Sequence, residues 1–132
     1  MLLGNAGAQT EQPKDGRYYE SLARKAYQEK NYSSFLENIK QANQLRPNHP
    51  RLMYNLAVAY ALNGNSSESI KWLRKTADMG LVFSAGSDHD FDALRNLPEF
   101  NAVLKQFEKN KAPRINTLHG FTIYEKGLIP ES

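Results

Sequence analysis

Four acidic residues in the C-terminal half of the chain have the spacing of a calcium-binding loop. They occupy positions 1, 3, 5 and 12 of that template, where carboxylate oxygens bind the ion: Asp88, Asp90, Asp92 and Glu99. The template also needs a glycine for the sharp turn at position 6, where this chain has Ala93, and Pro98 precedes the acid that should bind through both oxygens. We therefore interpret these acids as helix-capping residues and expect no metal site.

The three histidines are too widely spaced for a local catalytic or metal site. His49, His89 and His119 include no pair at i,i+3 or i,i+4, the spacings that place two ligands on one helical face. No nucleophile elbow or phosphate-binding glycine loop accompanies them. We expect no catalytic residue, no metal and no cofactor. The chain itself is thus predicted not to be an enzyme, and the question stays open for a longer parent protein.

Helices must position any functional side chains, and the clearest helical pattern begins at Met53. Four apolar residues fall at i, i+3, i+4 and i+7, which places them on one helical face: Met53, Leu56, Ala57 and Tyr60. Gly64 is the residue type expected in the left-handed conformation that ends a helix. Asn65, followed three positions later by Glu68, has the form of a capping box that begins the next helix. The pattern predicts a helical hairpin with Leu56 and Leu73 buried.

Much of this block has a matching copy earlier in the chain, displaced by a constant offset. The matched pairs are Leu22 and Leu56, Ala23 and Ala57, Asn31 and Asn65, Leu36 and Ile70, Ile39 and Leu73, and Leu45 and Met79. Lys30 stands where the later copy has Gly64. The earlier copy is predicted to bury one face of each helix: Tyr19, Leu22, Ala23 and Ala26 from the first, and Phe35, Leu36, Ile39, Ala42 and Leu45 from the second.

Two helices in a period of about 34 residues resemble the tetratricopeptide repeat family. The resemblance implies an all-α fold, a helical-repeat α–α superhelix of two repeats plus C-terminal capping helices over residues 16–111. Asp88–Arg95 has the pattern of a short capped helix with Phe91 and Leu94 facing inward, and Pro98 can open a last helix. Residues 91–100 resemble the segment that often follows the last repeat in bacterial tetratricopeptide proteins, which implies a C-terminal cap.

First helices of successive tetratricopeptide repeats usually line a groove that holds a peptide, so the resemblance implies such a groove here. The expected partner-binding surface combines two first helices: Arg17, Glu20, Arg24, Tyr27, Tyr54, Asn55, Val58 and Leu62. Only Asn55 matches the family's carboxylate-clamp positions, so that clamp is not expected. The apolar and aromatic members of the surface are not required by the repeat core. They predict either a contact site for a partner or packing against the segment after Gly80 or the tail.

Both ends of the chain lie outside the repeat pattern. Residues 1–15 are either a disordered N-terminus or a signal-peptide remnant, because Ala6-Gly7-Ala8 has the form that a signal peptidase cuts. The remnant would imply a periplasmic or secreted protein, and otherwise the chain is expected in the cytoplasm. Residues 112–132 are predicted to be an extended tail or linker, with a strand at residues 120–124 and a turn at residues 127–131. This tail resembles the entry to β-propellers of the gluconolactonase and senescence-marker family.

The composition of the chain excludes several classes of partner and of structure. The net charge of +3 is mild and the basic residues alternate with acids, so we expect no nucleic-acid partner. The sequence has no cysteine, which excludes a disulfide framework. No run of apolar residues is long enough to predict a membrane span.

The first function hypothesis is a non-catalytic protein–protein interaction scaffold that binds a peptide or partner domain in the groove. The alternative is the N-terminal helical domain of a larger gluconolactonase-like β-propeller enzyme or ligand-binding protein whose active domain is absent here. A homodimer formed through an exposed repeat face is a third interpretation. Residues 121–128 of the tail are also a candidate occupant of the groove.

Overall fold

The computed structural model describes residues 13–112 and the backbone of three short strands between residues 116 and 130. Five α-helices and two 3₁₀ helices make up the first part: α1 (Gly16–Gln28), α2 (Tyr32–Leu45), α3 (Pro50–Leu62), α4 (Ser66–Asp78), a 3₁₀ helix (Ala85–Ser87), a second 3₁₀ helix (His89–Leu94) and α5 (Pro98–Lys111). We call residues 85–94 the cap segment. The leader hypothesis for Ala6-Gly7-Ala8 lies outside the described residues.

Consecutive helices pack side by side, and the helix bounds repeat along the chain. Helix α1 packs on α2, α2 on α3, α3 on α4 and α4 on α5. Helix α3 begins and ends one sequence period after α1, and α4 begins one sequence period after α2. The predicted all-α, helical-repeat-like fold is therefore confirmed. No helix within the described part of the chain has the length and apolar content needed to cross a membrane.

The α1–α2 turn and the α3–α4 turn have the same design. The side chains of Asn31 and Asn65 cap α2 and α4, each accepting a backbone N–H three residues later at 3.2 Å. Gly64 has φ +79°, as predicted, and Lys30 has φ +59° at the equivalent position. The capping box is only half formed, because the Asn65 N–H donates to the Tyr60 carbonyl at 2.9 Å rather than to Glu68.

The core runs along the facing sides of the helices. Leu56 and Leu73 are buried, with 1% and 0% of their surfaces exposed, as the hairpin predicts. Leu22, the counterpart of Leu56, is 37% exposed, so its predicted burial is wrong. Helix α3 contacts α2, α4 and the cap segment, whereas α1 packs chiefly on α2, and Leu22 has less structure to cover it. The predicted burial of Leu45 is also wrong: it is 51% exposed because it is the last residue of α2, where the packed surface ends.

The cap segment follows α4 and completes the core. The expected helix at Asp88–Arg95 is a 3₁₀ helix, His89–Leu94, whose first turn is capped by Asp88 Oδ1 accepting the Asp90 N–H at 3.0 Å. Phe91 and Leu94 are fully buried, as predicted. Pro98 begins α5, which buries Phe100, Val103 and Phe107 against the preceding helices.

Three short strands follow α5: β1 (Asn116–Leu118), β2 (Phe121–Tyr124) and β3 (Gly127–Pro130). They pair antiparallel in chain order. The predicted strand at residues 120–124 is confirmed over Phe121–Tyr124. The predicted turn at residues 127–131 is wrong over Gly127–Pro130, because this stretch pairs with β2 in the register that sets Tyr124 opposite Gly127.

Candidate functional site

A concave cavity of about 280 Å³ lies between α1 and α3 and is bounded by α2 and the cap segment. Its lining includes six of the eight predicted groove residues: Glu20, Arg24, Tyr27, Tyr54, Asn55 and Val58. The other two do not line it, because Arg17 lies in the first turn of α1 and Leu62 is the last residue of α3. The fold thus brings together the central residues of the predicted surface around the cavity, but not Arg17 and Leu62 at its two ends.

The floor of the cavity is apolar and its rim is charged. The buried side chains of Ala23, Phe35, Ile39 and Val58 form the floor. Phe35 stands where the second repeat has Ser69, and it contacts the Tyr27 ring edge to face with centroids 5.2 Å apart. In the second repeat the smaller Ser69 instead donates a buried hydrogen bond to the Ala57 carbonyl at 2.7 Å. The large side chain in the first repeat therefore forms part of the cavity floor.

Two tyrosines tie the cap segment to the first helices. The Tyr27 hydroxyl donates to Asp90 Oδ2 at 2.7 Å, and the Tyr54 hydroxyl donates to Asp88 Oδ2 at 2.5 Å. The Tyr54 ring also stacks on Phe83 with a centroid separation of 4.6 Å and meets the edge of Phe91 at 5.7 Å. Of the two alternatives for these aromatic residues, packing against the segment after Gly80 accounts for Tyr54. The Tyr27 ring is more exposed.

Both phenols stay protonated well above neutral pH. The hydrogen bond to Asp90, followed by burial and the charges of Asp90 and Asp88, raises the pKa of Tyr27 to about 12. Burial, followed by the hydrogen bond to Asp88, raises the pKa of Tyr54 well above its usual value. At neutral pH each tyrosine is therefore a hydrogen-bond donor to a carboxylate.

Arg51, Asp88 and Asp90 line the cavity but were absent from the predicted groove surface. Arg51 could have been found, because it precedes Tyr54 by three residues and so lies on the same helical face. Asp88 and Asp90 had no comparable signal. Their sequence neighbours indicate only a capped helix, and the tyrosines that hold them are 34 and 63 residues away.

The charges around the cavity are only partly paired. Glu20 forms an ion pair with Arg46, with Oε2 and Nη1 2.7 Å apart. Within residues 13–112, Arg24 and Arg51 have no carboxylate within ion-pair distance, and no cationic side chain pairs with the carboxylates of Asp88 and Asp90. Arg95 Nη2 donates to the backbone carbonyl of Asp88 at 2.8 Å. The cavity therefore presents positive and negative groups that the described protein does not neutralise.

The acids with calcium-loop spacing do not converge. Asp88 caps the 3₁₀ helix, Asp90 accepts the Tyr27 hydroxyl, and Asp92 pairs with Arg95 at 2.8 Å. The hydrogen bond from Arg95 lowers the pKa of Asp92. Across the part of the chain that the structure describes, no three His, Asp or Glu residues are grouped to hold a metal ion. His119 falls outside that part.

Comparison of the chain with models of known protein families, with curated proteins and with solved structures gave no significant match.

Proposed function

We propose that this chain is a non-catalytic interaction module of the tetratricopeptide type, which binds a peptide or a partner's exposed segment in the cavity between α1 and α3. The observation that carries the proposal is the cavity itself: a concave surface with an apolar floor and a charged rim. Most of its side chains come from α1, α2 and α3, which pack consecutively, so the surface exists before a ligand arrives and the entropic cost of binding is lower.

The repeat geometry supports the tetratricopeptide assignment. The helices recur with the period of the sequence repeat, and asparagine caps both second helices. The α1–α2 and α3–α4 turns each contain a residue with positive φ, Lys30 and Gly64. Small residues lie where helices approach closely, and Ala23, Ala42 and Ala57 are almost completely buried. Only two repeats are present, so the groove is short and we expect affinities in the micromolar range.

The roles of the cavity side chains support binding rather than catalysis. A general base needs a pKa near the working pH, and the raised pKa of Tyr27 lies further from neutral pH than that of an ordinary tyrosine. Each aspartate already accepts a tyrosine hydroxyl. Guanidinium groups and a neutral amide, contributed by Arg24, Arg51 and Asn55, are suited to hold a ligand by charge and hydrogen bonds.

The proposal can be tested by selecting peptides from a random displayed library against the full chain. Enriched peptides would be titrated by calorimetry against the wild type and against Asn55→Trp, which places a large ring in the cavity. We expect Asn55→Trp to weaken binding by at least tenfold.

Gln44→Trp is the matched control, because Gln44 is exposed on α2 and does not line the cavity. Thermal melting of both variants would establish that they remain folded. Peptides that bind the wild type and Asn55→Trp equally would contradict the assignment of the cavity as the binding site.

A second candidate is the helical domain of a larger β-propeller protein. The observation in its favour is the antiparallel three-stranded arrangement of β1, β2 and β3, because propeller blades are antiparallel sheets. Reading the source gene beyond the codon for Ser132 tests it: several hundred further codons with blade-like repeats would support this candidate, and a stop codon there would reject it.

A further inference from the structure

The charged groups of the cavity are arranged in two similar pairs. Arg24 precedes Tyr27 by three residues in α1, and Arg51 precedes Tyr54 by three residues in α3. Residues at this spacing are neighbours on one helical face, about 4.5 Å apart along the axis. Each tyrosine hydroxyl in turn holds a carboxylate, that of Asp90 or Asp88. Each arginine therefore shares a helical face with a tyrosine that holds a carboxylate, and that carboxylate lines the same cavity without forming an ion pair with the arginine.

A ligand of one charge sign does not complement this arrangement. An acidic peptide would be attracted by the arginines but repelled by the two aspartates. A basic peptide would be attracted by the aspartates but repelled by the two arginines. Like charges brought together at a binding site cost affinity and suppress such partners. Glu20 does not alter the balance, because Arg46 already pairs with it.

We propose that the ligand of this cavity is an extended peptide that carries both an acidic and a basic side chain, two residues apart. This inference rests on the proposed function. In an extended chain, residues i and i+2 point to the same side and lie about 6.6 Å apart, so both side chains can enter the cavity from one face of the peptide. The acidic group would contact Arg24 or Arg51, and the basic group would contact Asp90 or Asp88. The methylene groups of both side chains would cover the apolar floor.

The two aspartates are suited to this role because they are oriented before the ligand arrives. Each is held by a tyrosine hydroxyl, and Asp88 also accepts the Asp90 N–H. A carboxylate fixed in this way loses little rotamer freedom on binding a cation. A carboxylate has about four lone-pair sites, so a tyrosine bond leaves room for a lysine ammonium group.

The test uses fluorescence anisotropy with the full chain and a labelled probe, acetyl-Ser-Ala-Glu-Ala-Lys-Ala-Ser-amide, whose blocked ends carry no charge. Matched peptides replace Glu by Gln, Lys by Gln, or both. A further peptide has the same composition with Glu and Lys three residues apart. We expect the probe to bind at least tenfold more tightly than every other peptide, and to weaken as NaCl rises from about 50 to about 500 mM because exposed charges are screened.

Variants of the chain assign the contacts. Arg24→Gln and Arg51→Gln, combined, should weaken binding of the probe about tenfold without affecting the peptide in which Gln replaces Glu. Asp90→Asn should weaken the probe without affecting the peptide in which Gln replaces Lys. Arg74→Gln and Asp78→Asn are the controls, because both residues are exposed on α4 away from the cavity.

Three results would overturn the inference. Equal binding of the uncharged peptide would show recognition by the apolar floor alone, and equal binding of the three-residue spacing would reject the extended geometry. In either case peptides selected from the random library could still bind the cavity, and the proposed function would stand. If neither these peptides nor any selected peptide binds, the inference and the proposed function both fail.

Discussion

The Tyr54 hydroxyl donates a hydrogen bond of 2.5 Å to the Asp88 carboxylate, joining α3 to the start of the second 3₁₀ helix across 34 residues of chain. The same ring stacks on Phe83. The bond therefore connects the cavity wall to the aromatic packing beneath the cap segment. Its removal should affect both the stability of the fold and the orientation of Asp88 in the cavity.

We expect Tyr54→Phe to lower the free energy of unfolding by about 1–3 kcal/mol, because it leaves a part-buried carboxylate without one of its donors while keeping the ring. Urea unfolding followed by circular dichroism measures the change. Tyr27→Phe is the comparison, since it removes the equivalent hydroxyl at a more exposed site and should cost less. A larger loss for Tyr27→Phe than for Tyr54→Phe would contradict the importance assigned to the Asp88 contact.

Lys30→Gly should stabilise the protein by about 0.5–1 kcal/mol, because Lys30 has φ +59° and glycine adopts that conformation without steric cost. Gly64→Ala should destabilise it by about 1 kcal/mol, because Gly64 has φ +79° and alanine is strained in that conformation. A Cβ at Gly64 would meet no atom within 4 Å, so the loss reports backbone strain and not a clash.

Thermal unfolding of both variants gives the measurement. Lys40→Gly, an exposed lysine inside α2, is the control and should lose about 1 kcal/mol through helix propensity. If Lys30→Gly is as damaging as Lys40→Gly, the turn does not need a left-handed residue.

Leu56→Ala should cost roughly 2–5 kcal/mol, the range for removing a fully buried leucine side chain from a packed core. Leu22→Ala, at the equivalent position of the first repeat, should cost less than about 1 kcal/mol because its side chain already contacts solvent. Denaturant midpoints of the two variants test the pair directly. Equal losses would show that Leu22 is covered in solution.

Alkaline pH should destabilise the fold through Tyr27. Its pKa is raised from 10.0 to about 12, so the folded state holds the phenolic proton more tightly than the unfolded chain does. The resulting stability is fully present below pH 10 and is lost as pH rises towards 12. Urea midpoints across this pH range should therefore fall less steeply for Tyr27→Phe than for the wild type. Tyr18→Phe, which also removes one phenol, serves as the control, and identical slopes for wild type and Tyr27→Phe would contradict the prediction.

Deleting residues 113–132 tests whether the tail occupies the groove. If the side chains of residues 121–128 lie in the cavity, the deletion should lower amide-exchange protection in α1 and α3 and reduce stability. Unchanged protection and stability would exclude this occupant and leave the cavity to a partner in trans.

Local features of this protein could be determined from its sequence. Gly64 and Asn65 act within a single turn, and the apolar spacing of Met53, Leu56 and Ala57 requires only one helix and its partner. The recurrence of the block at a constant offset then predicts the second hairpin. Six of the cavity residues were also predicted from the sequence, because the resemblance to a known repeat implies which helical face lines a groove.

Other features were decided only by the tertiary structure. The exposure of Leu22 depends on how many elements surround α1, a property that its resemblance to Leu56 does not contain. Asp88 and Asp90 have the sequence context of helix caps, and only the fold carries them to Tyr54 and Tyr27. Hydrogen bonds across 34 and 63 residues depend on how α1, α3 and the cap segment pack together, and no local pattern of residues encodes that packing.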